Sequence, residues 1–285
     1  MDLNGDGYSD ILSGSYSRHE QPMAGLFQVL WGKPGGAFQK AAVLNSSNGK
    51  PLEIPSGSKD EVAESICTRP FAVDWNGDGK LDLVVGTFSG SFYLFTGEGR
   101  GQFQPTPQAL KAGDRPLKLP SHHGDPFVVD WDGDGDLDLL SGSADGAVYW
   151  AENTAGKGKP PSLKPFEILI KPGPARKYGE LLNENEITGP GSSTRIWVDD
   201  LNGDGKLDIL VGDSVALFSP AEGISKGEYA KRFTKWDKSW QAVQKEVNSN
   251  SESMKARERF DKVWNERRAF MNEERTGYVW MFLRK

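Results

Sequence analysis

The 285-residue chain has room for one large domain or two ordinary ones, and its 36% hydrophobic residues with 34 Gly and 17 Pro suit short strands joined by turns. No run of eighteen apolar residues is present to span a membrane, no basic start followed by an apolar core marks a signal peptide, and the single cysteine, Cys67, excludes an internal disulfide. The net charge of −6 is uneven: fourteen of the forty acids crowd into four short segments, and setting those acids aside leaves 26 acids against 34 basic residues, a balance of +8.

Those segments are DLNGDGYSDILSG (Asp2 to Gly14), DWNGDGKLDLVVG (Asp74 to Gly86), DWDGDGDLDLLSG (Asp130 to Gly142) and DLNGDGKLDILVG (Asp200 to Gly212). Their first aspartates are 72, 56 and 70 residues apart, and each copy closes on a Gly twelve residues after its first Asp. A motif recurring at such intervals marks a repeat protein.

Numbered from the first Asp, positions 1, 3, 5 and 9 carry side-chain oxygen, and position 6 is Gly. Position 7 varies (Tyr8, Lys80, Asp136, Lys206), as expected where only the backbone carbonyl is used. Calcium takes six to eight oxygen ligands, and a curled loop turns alternate residues inward. Without a cation, the clustered carboxylates repel one another or take up protons. The pattern therefore predicts about four calcium sites: Asp2, Asn4, Asp6, Tyr8 and Asp10; Asp74, Asn76, Asp78, Lys80 and Asp82; Asp130, Asp132, Asp134, Asp136 and Asp138; and Asp200, Asn202, Asp204, Lys206 and Asp208. Four divalent ions would also offset the surplus acidity. The third loop, with five aspartates, should bind most tightly. An Asx-rich turn is the simpler reading of one copy, but four copies with fixed positions favour a metal. An EF-hand needs a bidentate Glu at position 12, where this chain has Ser13, Val85, Ser141 or Val211.

The flanks FAVDW, LDLVVG and LDLLSG read as strands, so the loops become hairpin tips. The second strands are apolar on both faces, which suits a sheet covered on both sides, as in radially packed propeller sheets. Third strands are expected at residues 25–32, 91–97 and 146–153, and fourth strands near AFQKAAVL, QFQPTPQAL and PFEILI.

From Ser219 to about Thr276 the composition shifts to Lys, Glu, Arg and Trp. Tyr229, Phe233, Trp236, Trp240, Val243 and Val247 follow helical spacing, and Ser225 with Glu228 suggests a capping box. NSNSES (248–253) reads as a turn, followed by a second helix with Phe260, Trp264, Phe270 and Met271 on its buried face. These form an antiparallel hairpin inserted in the fourth repeat, between a second strand at 206–213 and a third at 277–284. Its role is structural, or it offers a partner surface over 220–275. Its mixed charges argue against nucleic acid.

His122 and His123 lack the further ligands of a zinc site and read as a loop pair. Cys67 has no nucleophile context, and Trp75 and Trp131 suit core packing. No catalytic residues are identified.

The four DxNGDGxxDxxxG-like copies, each with its Gly turn and aromatic third strand, resemble the FG-GAP/VCBS repeat family, bacterial relatives of the integrin alpha-chain propeller. The resemblance implies an all-β, propeller-like array of about four blades over residues 1–218, a helical hairpin at 219–276 and a returning strand at 277–285. It also implies calcium in the four loops. A non-enzymatic adhesion or binding role with a protein or glycan ligand follows from it, in an extracellular, cell-surface or periplasmic setting. The alternative is a carbohydrate-active enzyme resembling polysaccharide lyases. Family propellers usually have about seven blades, and here the first repeat has only Met1 before its loop. A strand of about five residues, preceded by a signal peptide, is therefore expected upstream of Met1.

Overall fold

The computed structural model describes residues 1–16, 25–54, 64–249 and 253–285. They divide into two compact units: Met1–Gly173 with Pro190–Asp213 and Tyr278–Lys285, and Pro174–Gly189 with Ser214–Gly277.

The first unit holds one main antiparallel sheet per repeat, and the second repeat adds two short two-stranded ribbons, Gly97–Gly99 with Gln102–Phe103 and Lys111–Ala112 with Arg115–Pro116. The second repeat runs Arg69–Val73, Asp82–Gly86, Phe92–Phe95 and Gln108–Ala109, adjacent in that order. The third runs Asp125–Val129, Asp138–Gly142, Val148–Ala151 and Glu167–Ile170. The first repeat has three strands, Ile11–Ser13, Gln28–Leu30 and Ala42–Val43. The fourth uses Ser192–Asp199, the start of Asp208–Pro220, and Val279–Phe282. The outermost strand of each of the first three repeats thus lies within the segment expected to hold it, as the fourth strand in repeats two and three and as the third described strand in repeat one. In repeats two and three the acidic loop joins first strand to second, with Val73 paired to Asp82 and Val129 to Asp138.

The second strands explain the two-faced apolar runs. Asp82–Gly86 and Asp138–Gly142 are buried at every position. Leu83 and Val85 pack with Phe27, Val29 and Leu52 of the first repeat, whereas Val84, between them, packs with Val128 and Leu139 of the third. Leu140 turns the other way, onto Val198, Ile209 and Val211 of the fourth. The second and third sheets are therefore each packed between two neighbours, and a strand covered on both faces reads as a near-continuous apolar run after its Asp.

The closing Gly of each motif lies where one repeat meets the next. A Cβ on Gly14 would sit 1.8 Å from the Thr68 carbonyl oxygen, on Gly86 2.3 Å from that of Gly124, and on Gly142 2.2 Å from that of Thr194. Each of these carbonyls belongs to the residue just before or at the start of the next repeat's first strand. Gly212, in the last repeat, has only the Arg195 oxygen, at 4.0 Å.

The second unit contains two helices, α1 (Lys226–Ser249) and α2 (Met254–Glu266). Tyr229, Trp236 and Val243 are the buried residues of α1, matching the expected seam. The Ser225 hydroxyl accepts the Glu228 N–H at 3.2 Å, one half of the capping box. Two details differ from expectation. Helix α2 ends at Glu266, so Phe270 and Met271 are buried but not helical. The Arg267 guanidinium lies 3.5 Å from the centre of the Trp264 ring and donates to the Trp264 carbonyl, which takes over the last turn. The second strand of repeat four then runs on to Pro220, and Val215–Pro220 pairs with Met271–Thr276 instead of stopping at 213. Of the turn at 248–253, residues 250–252 lie outside the described residues.

Candidate metal centre

The four acidic loops share one curl. The position 1 carboxylate accepts the N–H of the position 6 Gly: Gly7 to Asp2 at 2.7 Å, Gly79 to Asp74 at 2.9 Å, Gly135 to Asp130 at 3.1 Å and Gly205 to Asp200 at 2.9 Å. That position needs Gly because its φ lies between 82° and 94° in all four copies. The position 3 oxygen accepts the N–H of position 5, as from Asp6 to Asn4, Asp78 to Asn76, Asp134 to Asp132 and Asp204 to Asn202. The position 5 carboxylate in turn accepts the position 7 N–H, from Tyr8, Lys80, Asp136 and Lys206. Successive Asx turns thus wind each loop so that its oxygens gather on one side.

Only the third loop has carboxylates at positions 1, 3 and 5. Oxygens of Asp130, Asp132 and Asp134 lie within 4.8 Å of one another. An all-oxygen donor set of this density fits a hard cation. In the first loop, the Gly7 N–H leads in holding the Asp2 carboxyl below its usual range.

Position 7 of the third loop departs from the others. The Asp136 side chain is buried and its Oδ2 accepts the Gly156 N–H at 2.6 Å, while its Oδ1 is buried with no partner among the described residues. Burial, joined by Asp134, Asp132 and Asp130, raises its pKa.

Position 9 holds a feature that motif reading missed. Asp10, Asp82, Asp138 and Asp208 are all buried. In each, Oδ2 accepts the N–H of loop position 2: Leu3 at 2.8 Å, Trp75 at 3.3 Å, Trp131 at 3.1 Å and Leu201 at 3.1 Å. Oδ1 accepts an N–H just beyond the third strand: Gly32, Gly97 and Asn153 at 2.7 Å, and Arg284 at 2.8 Å. The carboxylate is a strut tying the loop's entry to the exit of the third strand. Each oxygen keeps a further lone pair for a cation. The signal was legible as an Asp at or just before the start of every second strand, where an apolar residue is otherwise expected.

Burial outweighs these hydrogen bonds at Asp138 and lifts its pKa to about 6, and it raises Asp82 in the same direction. A carboxyl raised in the fold favours its protonated form there. Its contribution to stability is therefore fully present below the unfolded value near 3.8 and declines as pH rises to about 6. In chelator, the Asp138 carboxyl carbon should titrate near pH 6 by NMR. A midpoint at or below 4 would contradict the burial argument.

The remaining conspicuous residues have structural places. Cys67, His123 and Ser193 each precede a loop's first Asp by seven residues and share a left-handed backbone, with φ of 52°, 65° and 55°. They mark the turn into the first strand. His123 packs edge-on against Phe88 with ring centres 4.8 Å apart, and burial lowers its pKa. The Cys67 thiol is buried and its pKa raised by that burial. Trp75 is buried and donates to the Leu137 carbonyl at 2.8 Å, and Trp131 lies beneath the Arg284 guanidinium at 4.9 Å.

No described helix is long and apolar enough to cross a membrane. No curated protein matches the chain. The family model of the FG-GAP-like repeat matches residues 74–127 and 130–211, two segments that begin at the first Asp of the second and third loops. That match, the shared loop geometry and the repeated sheets identify residues 74–127 and 130–211 as FG-GAP-like repeats, consistent with the FG-GAP/VCBS repeat family.

Proposed function

We propose that this chain is a calcium-binding, calcium-stabilised module of propeller-like repeats that acts outside the cytoplasm as a non-enzymatic binding or adhesion module for a protein or glycan. The observation that carries the calcium reading is the gathering of the Asp130, Asp132 and Asp134 oxygens within 4.8 Å. Loops one, two and four repeat its hydrogen-bonded curl with Asn at position 3, so each offers the same oxygens with one charge fewer. Bound calcium would neutralise carboxylates that otherwise repel, and would brace the hairpin between first and second strands. Asp130, Asp132 and Asp134 and their equivalents at positions 1, 3 and 5 would hold it. The FG-GAP-like match over residues 74–127 and 130–211 supports the propeller-like reading and the extracytoplasmic setting. The helical region at 220–275 is a second candidate surface for a partner.

The test is thermal. Extracellular calcium modules bind at about 10⁻⁴–10⁻³ M. A site at ten times its Kd adds about 1.4 kcal/mol, or roughly 3–5 °C in a chain of this size. Chelation should lower Tm by at least that amount, and Asp134→Ala should remove the third loop's share in calcium. Identical melting curves with calcium and with chelator would overturn the reading.

A further inference from the structure

The first strands of repeats two, three and four bring three charged residues together. Arg69, Asp125 and Arg195 each precede their loop's first Asp by five residues. Arg195 Nη1 lies 2.5 Å from Asp125 Oδ1, and Arg69 Nε lies 3.8 Å from the same oxygen. Arg69 is also pinned by the His123 carbonyl at 3.1 Å. Two guanidiniums thus share one carboxylate oxygen. Burial and the neighbouring Arg195 charge lower the Arg69 pKa, as expected where positive charge is incompletely offset. The Arg195 side chain is 52% exposed, against 15% for Arg69 and 18% for Asp125. Arg195 is thus the most exposed of the three, with its Nη1 engaged by Asp125.

An aromatic row runs beside this charged one. Phe71, Phe127 and Trp197 precede their loops by three residues, with ring centres 4.8 Å apart for Phe71–Phe127 and 5.6 Å for Phe127–Trp197. Phe71 and Phe127 are partly buried in the cores between repeats, whereas Trp197 is 56% exposed. Arg195 and Trp197 are two residues apart on one strand. Their side chains share a face at a separation of roughly 7 Å. A ligand that matches needs a flat apolar face beside a carboxylate.

We infer that Trp197 and Arg195, backed by Arg69, form a subsite for a hexuronate residue of an acidic saccharide, with the sugar ring on the indole and the carboxylate on the guanidinium. A hexuronate carries a C–H face and a carboxylate on one ring, and it would supply the anion that the arginine pair lacks. Outside its acidic loops the chain carries a surplus of six positive charges, which favours a polyanionic chain over a neutral one. This names a ligand for the binding role proposed above and rests on that role, but not on a bound cation.

The experiment is titration of the full chain with trigalacturonate, maltotriose and glutarate, followed by tryptophan fluorescence and calorimetry, with calcium and again with chelator. Trigalacturonate should bind and perturb the fluorescence in both conditions, and both controls should bind at least tenfold more weakly. Arg195→Gln and Trp197→Ala should each weaken trigalacturonate at least tenfold. Arg195→Lys, which keeps the charge but not the fork, should fall between. Circular dichroism and melting curves confirm that the variants fold, since both side chains are exposed. The assignment is overturned by equal binding of either control, by no binding, or by full affinity in Arg195→Gln. Binding that vanishes in chelator overturns it too, because the loops' cations would then be the receptor, and this outcome leaves the calcium reading standing. Sedimentation as a dimer whose Trp197 is shielded from quenchers would assign the face to a second copy instead.

Discussion

Alanine at Gly142 is expected to lower the melting temperature by roughly 10 °C, whereas alanine at Gly212 leaves it nearly unchanged. Both residues close the same motif, and neither has a left-handed backbone, so alanine is conformationally acceptable at both. They differ in what stands opposite. The added methyl at 142 would lie 2.2 Å from the Thr194 carbonyl oxygen, and the methyl at 212 has nothing closer than 4.0 Å. A carbonyl at the entry of a strand cannot rotate away as a side chain can, so two packed sheets must separate. Overpacking of this kind costs about 3 kcal/mol or more, at the upper end of its usual range, and a chain of this size loses a few degrees per kcal/mol. At 212 the exchange removes backbone freedom from the unfolded chain and is neutral or slightly stabilising. Gly86→Ala should behave like Gly142→Ala, because the Gly124 oxygen is 2.3 Å from its Cβ position. Equal melting of the Gly142 and Gly212 variants would show that repeats three and four do not abut as described.

Much of this architecture was legible because the motif encodes backbone requirements. Left-handed Gly7, Gly79, Gly135 and Gly205 announce the curl, and the apolar runs after Asp82 and Asp138 announce cover on both faces. The weak fourth strands, such as Gln108–Ala109, could be placed only because the repeat register said where to look. The helical region was less legible at its far end. Phe270 and Met271 continue an apolar rhythm that a helix would accept, but Arg267 engages the Trp264 carbonyl and a strand follows. That outcome depends on Val215–Pro220 being present as a pairing edge, a tertiary fact absent from local spacing. The arginine–aspartate row was legible in principle, since its members are equivalent repeat positions. Their meeting, however, depends on neighbouring sheets bringing first strands side by side.

The site was legible in its acids, but those acids divide into two roles that the bare motif does not distinguish. Positions 1, 3 and 5 are exposed or half-exposed and gather oxygens, whereas position 9 is buried and braced by two backbone N–H groups. The division predicts opposite dependence on calcium. Asp208→Ala should destabilise the chain even in chelator, because the Leu201 and Arg284 N–H groups would lose the oxygens they reach at 3.1 and 2.8 Å. Hydrogen bonds to a charged group contribute about 1.5–3 kcal/mol each, so the loss should be about 3–6 kcal/mol. Asp208→Asn keeps one accepting oxygen and should recover about half. Asp204→Ala, at position 5 of the same loop, should change little in chelator. Among the described residues, the exposed Asp204 carboxylate accepts only the Lys206 N–H and the Asn202 amide, within the loop itself. In saturating calcium, Asp204→Ala should lose the fourth loop's stabilisation and melt nearer the chelated protein. Melting curves of the three variants, each with calcium and with chelator, separate the roles. If Asp208→Ala matched the parent in chelator and lost stability only in calcium, position 9 would be purely a ligand and the strut would carry no load in the fold.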